Sequence, residues 1–273
     1  MAAPAPSASD KEPLSPSKVL LINPNTSACV TAVLHQHLQA HVGTALQWQC
    51  ATARFGASYI ACEASYAIAA HAVLDAWADA VESPATPVDA VLVGCFGDPG
   101  LQALRELSGQ VVVGLAEAAF EQAARRGRFG IVTGGARWRP ILERLALALG
   151  YPAPPIHTVS LTGAQLREQP ERAQTMLMQA CMQLQREAEI EHAPPLQSII
   201  IGGAALAGMA QAIQPGVALP LIDSVSAAAD ALQGRLRRPH ARRSTPAPER
   251  ATSGPTVLGL SQALANQLSA AGR

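Results

Sequence analysis

A chain of 273 residues, 49% of them hydrophobic, can bury a substantial core, and its length suits one large domain or two of roughly 100–150 residues. Lys plus Arg and Asp plus Glu both number 20, so the net charge is zero and no basic stripe advertises nucleic acid or an anionic membrane; a small-molecule partner fits this balance better. Five widely spaced cysteines without a CxxC pair exclude a disulfide scaffold and point to a reducing cytoplasm, and seven histidines without an HExxH or Cys/His cluster give no metal motif.

Residues 1–18 are rich in Ala, Pro and Ser and lack both a basic start and an apolar run, so they read as a disordered tail rather than a secretory signal. No run reaches the ~18 apolar residues that a membrane span needs. The fold begins at Val19-Leu20-Leu21-Ile22, a short buried-strand run followed by Asn23-Pro24-Asn25-Thr26-Ser27 and a helical pattern from Ala28 to about Val42. Strand, polar loop and helix make the first unit of a βαβ series, with Thr26 or Ser27 as N-cap. The loop offers amide side chains and N–H groups to an anion or carbonyl, although ordinary turn chemistry would look the same. A second strand is predicted over Ala45–Ala51 and a long alanine-rich helix over Ile60–Val81, carrying Cys62, Tyr66 and His71. The two outer residues of these three pack, while Tyr66 is placed to face a crevice.

The stretch from Asp89 to Gly100 organises the chain. Val91 to Val93 fits a strand buried on both faces, and Gly94, Gly97, Pro99 and Gly100 then turn the backbone toward a helix near Leu101. Cys95 therefore sits at the carboxyl end of a strand, where open α/β sheets form their ligand crevices. The positive end of the following helix is expected to lower its pKa; the competing reading is one more small buried hydrophobe. Asp98 either orients the thiol or caps the Leu101 helix.

Val111–Glu117 reads as a strand ending in glycine with an acid close behind, followed by a helix from Ala118 to Arg125. A second round then copies the first. Phe129-Gly130-Ile131-Val132 ends in Thr133-Gly134-Gly135 before a helix from Trp138 to Leu149, and a helix from Arg172 to Glu189 carries Cys181 in a structural position. Ser198–Ile201 ends in the glycine-rich run Gly202 to Met209, the counterpart of the Cys95 turn. Two α/β halves of related layout would converge four loops on one cleft. Arg235 to Ser253 is arginine-rich in a Pro, Ser, Thr and Ala background and reads as a flexible insert, occupying 235–255, before a last helix from Ser261 to Ala270. The expected division is 19–114 plus 218–273 for the first domain and 115–217 for the second.

The runs VLLINPNTS (19–27), GCFGDPGL (94–101), VVVGLAEAAF (111–120), FGIVTGGARW (129–138), IIIGGAALAGMA (199–210), PLIDSVSAAADAL (220–232) and GLSQALANQL (259–268) together resemble the aspartate/glutamate/hydantoin racemase superfamily, in particular the hydantoin and allantoin racemases. The resemblance implies two flavodoxin-like domains with parallel sheets related by a pseudo-twofold, an active site in the cleft between them, and a C-terminal segment that returns to the first domain. It also implies cofactor-independent proton transfer at a carbon next to a carbonyl or carboxylate. Cys95 matches the first of the two cysteines that flank the substrate in these racemases. Gly203 stands where the second would be, and glycine has no side-chain proton to give.

Backbone N–H groups at Asn25, Thr26, Gly134, Gly203 and Ala204, with the Thr26 and Thr133 hydroxyls, are the expected donors to a developing enolate. Asn23, Phe96 and Asp98 complete the expected substrate site, and a homo-oligomer is the expected assembly. The leading reading is a racemase of a hydantoin-like or amino-acid-like compound. Its alternatives are a decarboxylase resembling the arylmalonate decarboxylases, with Cys95 as sole proton donor to a substituted acid, and a non-enzymatic small-ligand binder.

Overall fold

The computed structural model describes residues 16–82, 87–160, 168–190, 194–237 and 258–271. Two four-stranded sheets, every neighbouring pair parallel, repeat the same construction. The first half contains β1 (Ser17–Asn23), α1 (Ala28–Val42), β2 (Leu46–Thr52), α2 (Glu63–Glu82), β3 (Ala90–Val93), α3 (Leu101–Ser108) and β4 (Val111–Gly114), with strand order β2-β1-β3-β4. After α4 (Leu115–Ala124), the second half contains β5 (Phe129–Gly134), α5 (Trp138–Ala148), β6 (Ile156–Val159), α6 (Pro170–Ile190), β7 (Ser198–Gly202), α7 (Met209–Ile213) and β8 (Leu221–Asp223), ordered β6-β5-β7-β8. Two helices follow, α8 (Ser224–Leu236) and α9 (Gln262–Ala271). The duplication expected from the sequence is thus matched strand for strand: β1 with β5, and β3 with β7.

The central strands form where aliphatic runs can be buried on both faces. Leu20, Leu21 and Ile22 of β1, Val91 to Val93 of β3 and Ile199 to Ile201 of β7 are all buried, and each fully buried side chain of this size is worth about 1.5–3 kcal/mol. Helix α8 packs on α4, α1 and β4, tying the end of the second half to the first, while Ala263 and Leu264 of α9 join the first-half core with Val73 and Trp77 of α2. The C-terminal segment returns to the first domain, as the resemblance implies.

Several boundaries differ from expectation. Ser17 and Lys18 pair with Leu46 and Gln47 at the start of β1, so the expected tail is two residues shorter at its ordered end; residues 1–15 lie outside the described part. Strand β8 pairs with β7, which carries the second sheet on to Asp223, past the division expected at 217. Arg235 and Leu236 end α8 rather than beginning a loop, because Arg235 is held by Glu117 and Glu121 of α4; the expected insert from 238 to 255 lies outside the described residues. Strands β6 and β8 escape the periodicity argument. Both are edge strands of four and three residues, and His157-Thr158 and Asp223 break their apolar pattern. Among the described residues no helix is long and apolar enough to cross a membrane.

Candidate active site

The two halves meet where β3 and β7 end. Gly94 and Cys95 follow β3, Gly203 follows β7, and all three line one cleft whose empty space, mouth included, is about 570 Å³. Thr133 and Gly134 enter from the end of β5, Asn25 from the loop after β1 and Tyr59 from the loop after β2. Each of these residues stands at the carboxyl end of a parallel strand or in the loop that follows it, which is where the unpaired backbone of such sheets opens to a ligand.

Close packing fixes the walls. A Cβ on Gly202 would lie 2.1 Å from the Phe96 ring, so the first half's Phe96 presses on bare backbone of the second half. Trp138, the first residue of α5, crosses the other way: its indole N–H donates to the Ile60 carbonyl at 3.1 Å and its ring stands edge-on to Tyr66. Tyr66 spends its hydroxyl on the Gly97 carbonyl at 2.7 Å and is not part of the cleft lining, contrary to expectation. It supports the Cys95 turn from behind.

Asn25 is positioned by a local network. Asn23 is fully buried; its Nδ2 reaches Asn25 Oδ1, the Ser27 carbonyl and Thr31 Oγ1, each at 3.0 Å, and its Oδ1 accepts from the Asn25 N–H at 3.2 Å. The Ser27 N–H also donates to Asn25 Oδ1, at 2.9 Å. With its oxygen doubly engaged, Asn25 keeps Nδ2 unpaired among the described residues, and this residue lines the cleft.

Expected donors are fewer than the sequence suggests. The N–H groups of Asn25, Thr26 and Gly203 are taken by Asn23 Oδ1, the Ala57 carbonyl and Ser224 Oγ respectively, and Thr133 Oγ1 donates to the Gly202 carbonyl at 2.7 Å. The Ala204 N–H opens the 3-10 turn Ala204–Leu206 and has no partner among the described residues. Asn23 and Thr26 stand behind the lining rather than in it, because a short loop between β1 and α1 must first satisfy its own backbone.

Asp98 departs furthest from expectation. Its carboxylate accepts from the Ala116 N–H at 2.9 Å and the Glu117 N–H at 2.7 Å, capping α4 rather than α3, and no hydrogen bond links it to the thiol among the described residues. This capping starts α4 at Leu115, three residues before the expected start, so Glu117 lies in the first turn of a helix and not at a strand end. There it is forked by Arg105 and approached by Arg235, a structural clamp away from the cleft lining.

Burial decides the electrostatics at Cys95. Cys95 is buried, with 7% of the residue exposed; desolvation pushes its thiol pKa well above the ordinary value, and the negative charge of Asp98 pushes the same way. The expected lowering by a helix N-terminus does not prevail, since α3 begins only at Leu101 and Asp98 lies between. Asp98 is itself raised to about 7, chiefly by burial. Tyr59, also in the lining, is raised by burial against an opposing contribution from the neighbouring Trp138, with a smaller raising contribution from Cys95. Among the described residues no group of three or more His, Cys, Asp or Glu is placed to hold a metal ion.

Tyr59, Ile60, Val30, Trp138 and Leu206 line the cleft without having been marked as site residues by the sequence. Tyr59 had an available signal, since it lies in a loop at the carboxyl end of a strand just as Cys95 does.

A family model described as Asp/Glu/Hydantoin racemase matches residues 19–232, from β1 through most of α8. The chain belongs to this family. A hydantoin racemase of Rhizobium meliloti is 30% identical over 227 residues, covering 78% of this chain and 88% of that one. The crystal structure of an allantoin racemase from Pseudomonas fluorescens superposes with a TM-score of 0.74 at 25% identity, over 89% of this chain and all of the other. An unliganded arylmalonate decarboxylase, 15% identical, covers 82% of this chain and 93% of its own with a TM-score of 0.57, a likeness of fold alone. Within the racemase family, the matched region includes both strand ends that carry Cys95 and Gly203.

Gly203 rules out a simple restoration of a second thiol. A Cβ there would find its nearest neighbour, the Leu206 side chain, at an ordinary 3.4 Å, so space is available; but its φ of +147° is one that side-chain-bearing residues rarely adopt. Gly203→Cys is therefore expected to lose about 1–3 kcal/mol of stability by urea denaturation, the cost of holding such a backbone. An unchanged midpoint would show that the loop relaxes freely.

Proposed function

We propose that this chain is a cofactor-independent racemase of small, uncharged cyclic ureides of the hydantoin type, with Cys95 exchanging the proton on the ring carbon next to the carbonyl. The observation that carries this reading is the position of Cys95. It is the only cysteine lining the cleft among the described residues, at a strand end of a chain that belongs to the racemase family. The relatives named as hydantoin and allantoin racemases support the ring class.

The lining also supports an uncharged substrate. No Lys or Arg lines the cleft among the described residues, whereas an amino-acid carboxylate or the two carboxylates of a malonate would call for a cation or a dense set of donors. That weighs against the decarboxylase alternative. A hydantoin ring carbon lies between a carbonyl and an amide nitrogen, so its C–H is acidic for carbon. Proton removal places negative charge on the carbonyl oxygen, and Asn25 Nδ2 and the Ala204 N–H are the unpaired donors at the wall that can meet it.

The reading is tested by following each pure enantiomer of a 5-substituted hydantoin by chiral chromatography, with phenylmalonate decarboxylation run in parallel. Loss of optical purity from both sides is expected; turnover of the malonate alone would favour the lyase. Because burial holds Cys95 in its neutral form, the thiolate that abstracts a proton is a minor species near neutrality. Racemisation is thus expected to rise with pH, about tenfold per unit below the thiol's pKa. A profile that is flat from pH 7 to 9 would contradict this.

A further inference from the structure

Inversion at carbon needs a proton acceptor on one face and a donor on the other, and among the described residues this cleft offers a single thiol. Of the side chains that line it among the described residues, only Cys95 and Tyr59 carry a proton of usable acidity. The Thr133 hydroxyl is far too weak an acid and its hydrogen is committed to the Gly202 carbonyl; the Trp138 N–H is committed to the Ile60 carbonyl and is no acid. Asn25 binds but does not titrate.

The placement of Tyr59 is informative. It belongs to the first half, yet its hydroxyl lies across the cleft on the second, 3.4 Å from the Gly134 carbonyl and 3.2 Å from where a Cβ on Gly135 would be. The register of β5 and β7 ends in the pair Thr133–Gly202, and the residues that follow it along the two chains, Gly134 and Gly203, both line the cleft. The phenol therefore stands beside the strand end that lacks a cysteine, whereas Cys95 stands at the end of β3 in the other sheet. Its contact with Gly134 is at the outer limit of a hydrogen bond and leaves the hydroxyl available to a ligand.

We propose that Tyr59 is the acid–base partner of Cys95, serving the opposite face of the ring carbon in place of a second cysteine. This rests on the racemase reading above. For one enantiomer, the Cys95 thiolate takes the ring proton and becomes a thiol, and the C–H electron pair moves into the enolate. The enolate then takes the Tyr59 phenolic proton on its other face, giving the inverted ring and a tyrosinate. Water carries a proton from the thiol back to the tyrosinate and restores the starting state. The opposite enantiomer runs the same steps in reverse, starting from tyrosinate and thiol. No oxidant or further reactant is needed.

The two groups should therefore fail on opposite enantiomers. Each pure enantiomer of a 5-substituted hydantoin is incubated in D2O with the parent, Tyr59→Phe and Cys95→Ser, reading ring C–H loss by NMR and inversion by chiral chromatography. The parent should exchange and invert both. Tyr59→Phe should lower inversion about 100-fold or more while one enantiomer still exchanges with retention, and Cys95→Ser should stop exchange of that same enantiomer. Tyr59 is 38% exposed, and its hydroxyl has one long hydrogen bond to the Gly134 carbonyl and a contact with Trp138, so the phenylalanine variant is expected to keep the parent's Tm within a few degrees. Inversion by Tyr59→Phe at the parent's rate would overturn the proposal, as would an equal fall in exchange of both enantiomers, which is what lost fit produces. A parent that neither exchanges nor inverts would overturn the hydantoin reading itself, and this proposal with it.

Discussion

Cys95→Ser is expected to lower kcat/KM for racemisation by roughly 10²–10⁴-fold, the usual worth of a positioned acid–base group, while leaving the fold in place. Serine is nearly isosteric with cysteine, so little packing is lost at this buried position after β3. What is lost is acidity: a hydroxyl is a far weaker acid than a thiol, so it supplies no useful fraction of the basic form near neutral pH. Cys181→Ser is the matching control. Cys181 is buried in the middle of α6 within the second-half core, its pKa pushed up to about 12 by burial, and it is not among the residues that line the cleft. It should lower stability without changing activity per folded molecule. Activity of each variant is read by chiral chromatography and normalised to the folded fraction from circular dichroism. Equal losses at the two positions would show that the chemistry does not depend on Cys95.

The parts of this architecture that were legible in the sequence are those where one local pattern decides the outcome. Leu20 to Ile22, Val91 to Val93 and Ile199 to Ile201 are dense aliphatic runs bounded by polar or glycine-rich turns, and each becomes a central strand. Their similar endings disclose the duplication, and with it the shared cleft of Cys95 and Gly203. What stayed hidden depends on partners distant in sequence. Asp98 could not be assigned locally because its carboxylate is satisfied by α4 amides 18 and 19 residues away, not by the adjacent α3. The thiol pKa followed the same logic: proximity to a helix start suggests lowering, but burial under the facing half, with Phe96 pressed on Gly202, reverses it. The loop position of Tyr59 after β2 is legible, but the reach of its hydroxyl to Gly134 in the other half is a relation with no period or motif.

Asp98 gives the second large effect, on stability and on the pH profile together. The residue is 3% exposed, holds the first turn of α4 through two N–H groups, and lies so close to Gly114 that a Cβ there would come within 2.2 Å of its carboxyl carbon. Its folded-state pKa of about 7 lies above the ordinary carboxylate value of 3.8, so the folded protein retains a proton that the unfolded chain has shed. The stability tied to that proton is fully present below pH 3.8 and is lost as pH rises through about 7, a loss on the order of 4 kcal/mol. Asp98→Asn removes the titration. It also turns an amide N–H₂ toward one of the two capping N–H donors, leaving that donor unsatisfied at a cost of about 1–3 kcal/mol. Compared by urea denaturation, the variant should therefore be the less stable protein near pH 5, and the gap should narrow or reverse by pH 8. The activity profile should move as well. With the Asp98 charge gone, one of the two causes that raise the Cys95 thiol disappears, and the alkaline rise in racemisation should begin at lower pH. A stability difference independent of pH would mean that Asp98 is ionised in the fold throughout this range, and a rise in activity left unmoved would mean that its charge does not act on the Cys95 thiol.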